Sequence, residues 1–264
     1  MDLGLKDAVV IVQGGSRGMG RAAAECLARD GAKIGIIGRT QADIDETVAA
    51  LKSLGAADAA GFRADIASTP EVEAAFAAIG ARWGCVNSLV CAAGAEVVGG
   101  FEELSDQDWL DCINLGALGM VRCVRAALPL LRKAEWARIV NFSAHSTKRQ
   151  SPSLVAYTAA KAMVSSVSKN LSLSLAPDNI LVNIVLPGSF ASPALKGWAS
   201  RMGIDPSNLV AIMDGIREHF GHPAHLPRAG EPSEMGPVVA FLASKANSYM
   251  TGAFVNVDGG SDFS

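Results

Sequence analysis

The chain has 264 residues, 50% of them hydrophobic and 19% charged, so it can bury a large core and is not a disordered polymer. Its 23 Lys and Arg against 26 Asp and Glu leave a net charge of −3, which offers no broad electrostatic footprint for nucleic acid or anionic lipid. No run of 18 residues is apolar throughout, and the N-terminal segment lacks the basic, apolar and small-residue succession of a secretory signal, so a cytoplasmic protein with no membrane span is expected.

In chain order, short Val- and Ile-rich runs alternate with longer Ala-rich segments of helical period. Ala8 to Val12 reads as a strand, Met19 to Asp30 as a helix, Lys33 to Ile37 as a strand and Gln41 to Leu54 as a helix. Further strands are expected at 59–63, 88–91, 138–142, 181–186 and 253–257. Most are apolar throughout, as strands covered on both faces must be. The pattern predicts a single-domain α/β fold: a doubly wound, parallel, seven-stranded sheet of the Rossmann type. The rhythm breaks between Phe190 and Pro227, a stretch punctuated by Pro and Gly and carrying Leu195, Trp198, Ile212 and Phe220. It is read as an insertion over the sheet's edge, serving as a substrate lid. The cysteines (Cys26, Cys85, Cys91, Cys112, Cys123) are odd in number and never spaced as CxxC, which points to small core residues in a reducing compartment.

Directly after the first strand comes Gln13-Gly14-Gly15-Ser16-Arg17-Gly18-Met19-Gly20, followed by a helical run. Strand, glycine turn and helix together form the context of a phosphate-binding loop, because the helix N-terminus presents free N–H groups and positive dipole to a pyrophosphate. The second strand ends in Gly38-Arg39-Thr40, with no carboxylate at its tip. A carboxylate there would accept from a ribose 2′-hydroxyl, whereas Arg39, with Arg17, suits a 2′-phosphate. NADP(H) is therefore expected over NAD(H), which would make Arg39 a bystander.

Tyr157 and Lys161 are four apart in an Ala-rich helical segment, and so share one face. A nearby ammonium stabilises phenolate and lowers a tyrosine pKa from its usual value of about 10, making it a usable proton donor and acceptor.

Taken with the glycine loop, these residues resemble the short-chain dehydrogenase/reductase family over essentially the whole chain. The matching pieces are Gly14, Gly18 and Gly20, then Asp65-Ile66, Cys91-Ala92-Ala93-Gly94, Asn114, Arg138 to Ser143, Tyr157 to Lys161, Pro187-Gly188 and Val257-Asp258-Gly259-Gly260. The resemblance implies that Tyr157 is the general acid/base, that Lys161 grips the nicotinamide ribose and lowers the tyrosine pKa, and that Asn114 holds a water in a proton relay. It implies that the loop residues Ser16 and Met19 belong to the cofactor site. It also implies that Asp65, beside Ile66, meets the adenine, and that Ala93 and Gly94 let the adenosine ribose approach. Pro187, Gly188, Phe190 and Ser192 resemble the stretch that meets the nicotinamide carboxamide, with Phe190 and Ser192 in place of an aliphatic residue and a Thr. A homotetramer is implied too, consistent with a segment from Leu110 to Leu131 that carries little charge for a half-exposed helix.

One departure bears on catalysis. The family's substrate-binding Ser lies 13 residues before the Tyr, and that position is Ala144. Ser143 is the first candidate to replace it and Ser146 the next, with His145 and Thr147 beside them. The expected activity is hydride transfer between NADP(H) and a secondary alcohol or ketone with a bulky apolar body. The rival is a nucleotide-binding sensor or scaffold of the same fold with little turnover. His219, His222 and His225 recur every three residues, but Gly221 and Pro223 break any helix that would align them, so the stretch is read as an exposed or pH-sensitive loop and no metal site is expected. Lys148 and Arg149 near the site are weighed as contacts to an anionic group and read as solvated.

Overall fold

The computed structural model of the chain describes residues 2–95 and 97–261. The strands are β1 (Val9–Gln13), β2 (Lys33–Gly38), β3 (Asp58–Arg63), β4 (Ser88–Cys91), β5 (Ala137–Phe142), β6 (Ile180–Pro187) and β7 (Phe254–Val257). They form one parallel sheet in the order β3-β2-β1-β4-β5-β6-β7, with Val12 paired to Ile36 on one side and Val90 on the other. Side chains alternate across the sheet, so Val10 and Val12 join one buried cluster while Val9 and Ile11 join a second on the opposite face.

Helices cover both clusters. The first is closed by α1 (Gly18–Arg29), α2 (Gln41–Ser53) and α9 (Pro232–Leu242), the second by α3 (Thr69–Trp83), α5 (Gly119–Leu131) and α6 (Val155–Ser174). The two edge strands depart from full burial: β3 exposes Gly61 and Arg63, and in β7 Phe254 is 42% exposed. The short apolar run of β7 is legible as a strand, but its outer neighbour is solvent.

Helix α4 (Asp106–Ile113) continues into α5 through one π-helical turn at Asn114–Leu118. Among the described residues, 106–131 is the one helical run long and apolar enough to cross a membrane, but Cys112, Met120, Cys123, Val124 and Ala127 are buried in the fold. All five cysteines are free; Cys91, Cys112 and Cys123 are buried, and burial pushes the Cys123 thiol up to about 12, which makes it unreactive. Cys26 and Cys85 are only half-buried, where core positions were expected.

The segment expected as a lid contains α7 (Pro193–Arg201) and α8 (Leu209–Phe220), which enclose a small cluster of their own around Ala199, Ile212, Met213 and Ile216. It follows β6, and therefore sits where the carboxyl end of the sheet opens.

Candidate active site

The loop between β1 and α1 is shaped by close backbone approach. Gly14 has φ +76°, and a Cβ there would lie 2.5 Å from the Ala93 nitrogen. At Gly20 the carbonyl of Gly14 occupies the same space, so the turn packs backbone on backbone. Helix α1 then opens with no side-chain cap and no acidic residue in its first turn, leaving its N–H groups for an external anion. Gln13 ties the loop to the segment after β4, its Oε1 accepting from the Ala93 N–H at 3.3 Å.

Beside this loop lies a cavity of about 240 Å³ lined by Gly14, Ser16, Arg17, Arg39, Ala64, Ile66, Ala93 and Gly94. The two arginines differ. Arg17 donates to Asp43 at 2.7 Å and to Thr40 at 3.3 Å, so its charge is already paired. The Arg39 guanidinium is exposed and makes no hydrogen bond or ion pair among the described residues. Asp65 is not in the cavity wall; its Oδ1 accepts from the Ala67 N–H at 2.9 Å, closing its own turn, while Ala64 and Ile66 face the opening.

A second cavity, of about 180 Å³, gathers Met19, Gly94, Ala144, His145, Ser146, Tyr157, Lys161, Pro187 and Gly188. Lys161 is 5% exposed; its Nζ donates to the Phe142 carbonyl at 2.8 Å and lies 5.9 Å from the Tyr157 ring centre. The helical spacing thus puts the two side chains together at the cavity, as the sequence implies.

The position of Ser143 corrects an expectation. Its Oγ donates to the Lys161 carbonyl at 2.9 Å and pairs with the Ser165 hydroxyl at 2.7 Å. Ser143 lines the same cavity as Ser146, but a hydroxyl carries one proton and this one is used on α6, so Ser143 has none left to donate to a substrate oxygen. Ser146 is placed better: it accepts from Thr158 at 3.1 Å, which leaves its own proton for the cavity it lines.

Asn114 opens the π turn, and its Oδ1 accepts from Arg122 at 2.7 Å. Arg122 also donates to the Ile66 carbonyl at 3.0 Å and to Thr69 at 3.1 Å, joining the wall of the glycine-loop cavity to the π turn. This bridge is invisible in the sequence, where Arg122 is one of two arginines in an otherwise apolar helix. Arg122→Met is expected to strand these acceptors and lower stability by about 1–3 kcal/mol, several degrees in Tm. An unchanged thermal midpoint would show that the bridge contributes nothing.

The histidine loop is exposed at His219 and His225, as expected, but not at His222. His222 is 2% exposed and its ring meets that of His145 edge to face, with centres 4.8 Å apart. His145 holds the Pro187 carbonyl at 3.0 Å, and since a carbonyl only accepts, its Nδ1 carries the proton. Burial and the neighbouring His145 push the His222 imidazole below the usual histidine range, so it is neutral at pH 7. His219 instead contacts the Gly215 carbonyl at 2.9 Å, and no group of three metal-ligating side chains occurs among the described residues.

From Tyr157 a third cavity, of about 310 Å³, runs between Phe190, α7 and α8. Ser192 lies on its edge and caps α7, accepting from the Leu195 N–H at 3.3 Å.

A family model described as enoyl-(acyl carrier protein) reductase matches residues 14–262. The chain belongs to the short-chain dehydrogenase/reductase family. Among family members, the short-chain reductase protein NovJ of Streptomyces niveus is 31% identical over 255 residues, 97% of this chain and 94% of that one. The structure of L-sorbose reductase from Gluconobacter frateurii, complexed with NADPH and L-sorbose, superposes with a TM-score of 0.91 at 26% identity, covering 100% of both chains. The Pseudomonas aeruginosa RhlG complex with NADP gives a TM-score of 0.87 at 27% identity, covering 99% of this chain and 98% of that one. As a family member the protein is an oxidoreductase of alcohol and ketone groups that works by hydride transfer.

Proposed function

We propose that this protein interconverts a secondary alcohol and a ketone of bulky apolar shape using NADP(H), with Tyr157 as the proton donor and acceptor. The observation that carries the reading is the meeting of Tyr157, Lys161 and Gly94 at one cavity that adjoins the glycine-loop cavity. Three features suit the nucleotide: the uncapped start of α1 for the pyrophosphate, the small residues Ala93 and Gly94 for close approach, and the unpaired Arg39 for a 2′-phosphate. Relatives whose structures hold NADPH or NADP support the same choice.

When bound, a dihydronicotinamide supplies the hydride. The chain's part is to hold the carbonyl oxygen at the Tyr157 hydroxyl, which gives up its proton as negative charge grows on that oxygen. The Lys161 ammonium, close to the Tyr157 ring, stabilises the phenolate left behind. Ser146 is the group we assign to polarise the same oxygen in place of the hydroxyl absent at Ala144. Asn114, whose Oδ1 accepts from Arg122, is the residue we assign to hold a relay water. The 190–227 helices close the apolar end of the cavity and keep water out.

Arg39→Ala is expected to weaken NADPH binding about 10- to 100-fold at low salt while leaving NADH binding unchanged, because a charge-assisted contact to the 2′-phosphate is lost. Fluorescence titration with both nucleotides checks it; equal effects on the two would return Arg39 to the role of bystander and favour NAD(H). Ala144 favours a second reading, a nucleotide sensor with little turnover, and NADPH binding without oxidation by any ketone would select it. Exposed Leu110 and Leu173, at 59% and 70%, support a homotetramer, and the free cysteines support a cytoplasmic setting. A monomer in sedimentation at micromolar concentration would remove the first of these.

A further inference from the structure

The cavity between Tyr157 and the 190–227 helices is apolar along most of its wall, with one formal charge. Helix α7 turns Leu195, Trp198 and Arg201 toward it, positions spaced by three and therefore on one helical face. The first two continue the apolar lining, Trp198 meeting Phe220 of α8 with ring centres 5.4 Å apart. The third sets a guanidinium where the stripe calls for another apolar side chain, although Met202 stands next to it and is left 44% exposed. Arg201 forms no hydrogen bond or ion pair among the described residues. The acids nearest in sequence are engaged: Asp214 with Arg217 at 3.3 Å, and Asp205 with the N–H and hydroxyl of Ser207 at 2.9 and 2.7 Å. Lys148 and Arg149 do not line the cavity.

We propose that Arg201 is a specificity-determining residue that binds a carboxylate at the end of the substrate remote from the reacting carbonyl. The substrates are then keto acids, or the corresponding hydroxy acids, with an aromatic or alicyclic body between the two groups. The planar guanidinium matches a carboxylate in two parallel hydrogen bonds, which an apolar rim cannot do and a water-filled one does not need. The assignment rests on Tyr157 marking the reacting end, as proposed above.

The test compares three ketones with NADPH: 4-(3-oxobutyl)benzoate, its methyl ester, and 4-phenyl-2-butanone. In the wild-type protein, kcat/KM for the acid is expected to exceed that for the ester about tenfold at low salt, a modest margin because Arg201 is exposed at the cavity rim, and the margin shrinks at about 0.5 M NaCl. Arg201→Met brings the ratio to about one, chiefly through loss of the acid's value, and Arg201→Lys keeps part of the preference. Equal values for acid and ester in the wild type, or a preference that survives Arg201→Met, overturn the proposal. Calorimetric binding of acid and ester, with and without NADPH, reads the same ratio independently of turnover. Absence of NADPH oxidation therefore counts against the proposed reaction, whereas failure of the acid to bind more tightly than the ester counts against Arg201.

Discussion

Tyr157→Phe is expected to lower kcat for NADPH-dependent ketone reduction by about 10²- to 10⁴-fold, the range for loss of a positioned general acid. The ring stays, so its packing beside Lys161 and its half-buried seat at the cavity are kept; only the proton is removed. NADPH affinity is expected to remain within about a few-fold, since the loop at Gly14, the α1 N-terminus and Arg39 are untouched. The pair of measurements is the initial rate of NADPH absorbance loss and a fluorescence titration. A variant that keeps a tenth or more of the wild-type rate would assign the proton to another group.

Ser146→Ala is expected to reduce kcat by about 10²- to 10³-fold, the magnitude associated with removing one donor from a developing oxyanion. The reasoning depends on which hydroxyl proton is available. Ser143 spends its proton on the Lys161 carbonyl, and Thr158 donates to Ser146, so Ser146 retains one to offer. Adding a hydroxyl back at the family position, Ala144→Ser in the Ser146→Ala background, is expected to recover part of the loss, because Ala144 lines the same cavity. Should Ser146→Ala run at the wild-type rate, the carbonyl is polarised by Tyr157 alone or by His145, and a parallel His145→Ala measurement separates these.

Much of the architecture was legible in one dimension. The central strands are short apolar runs whose residues are buried on both faces of the sheet, and the helices between them repeat every three or four residues, so local pattern and final environment agree. The glycine loop was legible for the same reason: Gly14 and Gly20 meet neighbours a few residues away or on the adjacent strand, and such positions admit no side chain. Tyr157 and Lys161 are four apart on a single helix, and that spacing alone puts them on one face.

Periodicity and spacing alone set the parallel αβ order, the glycine turn after β1 and the Tyr157–Lys161 pair, since each depends on contacts that a local pattern encodes. The tertiary structure alone decided where individual polar side chains point. Ser143 is held by Ser165, 22 residues further on, and Arg17 is paired with Asp43, 26 residues further on. Asp65 turned inward to its own loop, His222 left the surface to meet His145, and Arg201 was delivered to the mouth of an apolar cavity by the face α7 presents. A buried or half-buried polar group settles toward whichever partner satisfies its hydrogen bonds, and those partners come from distant segments that only the folded chain brings within reach.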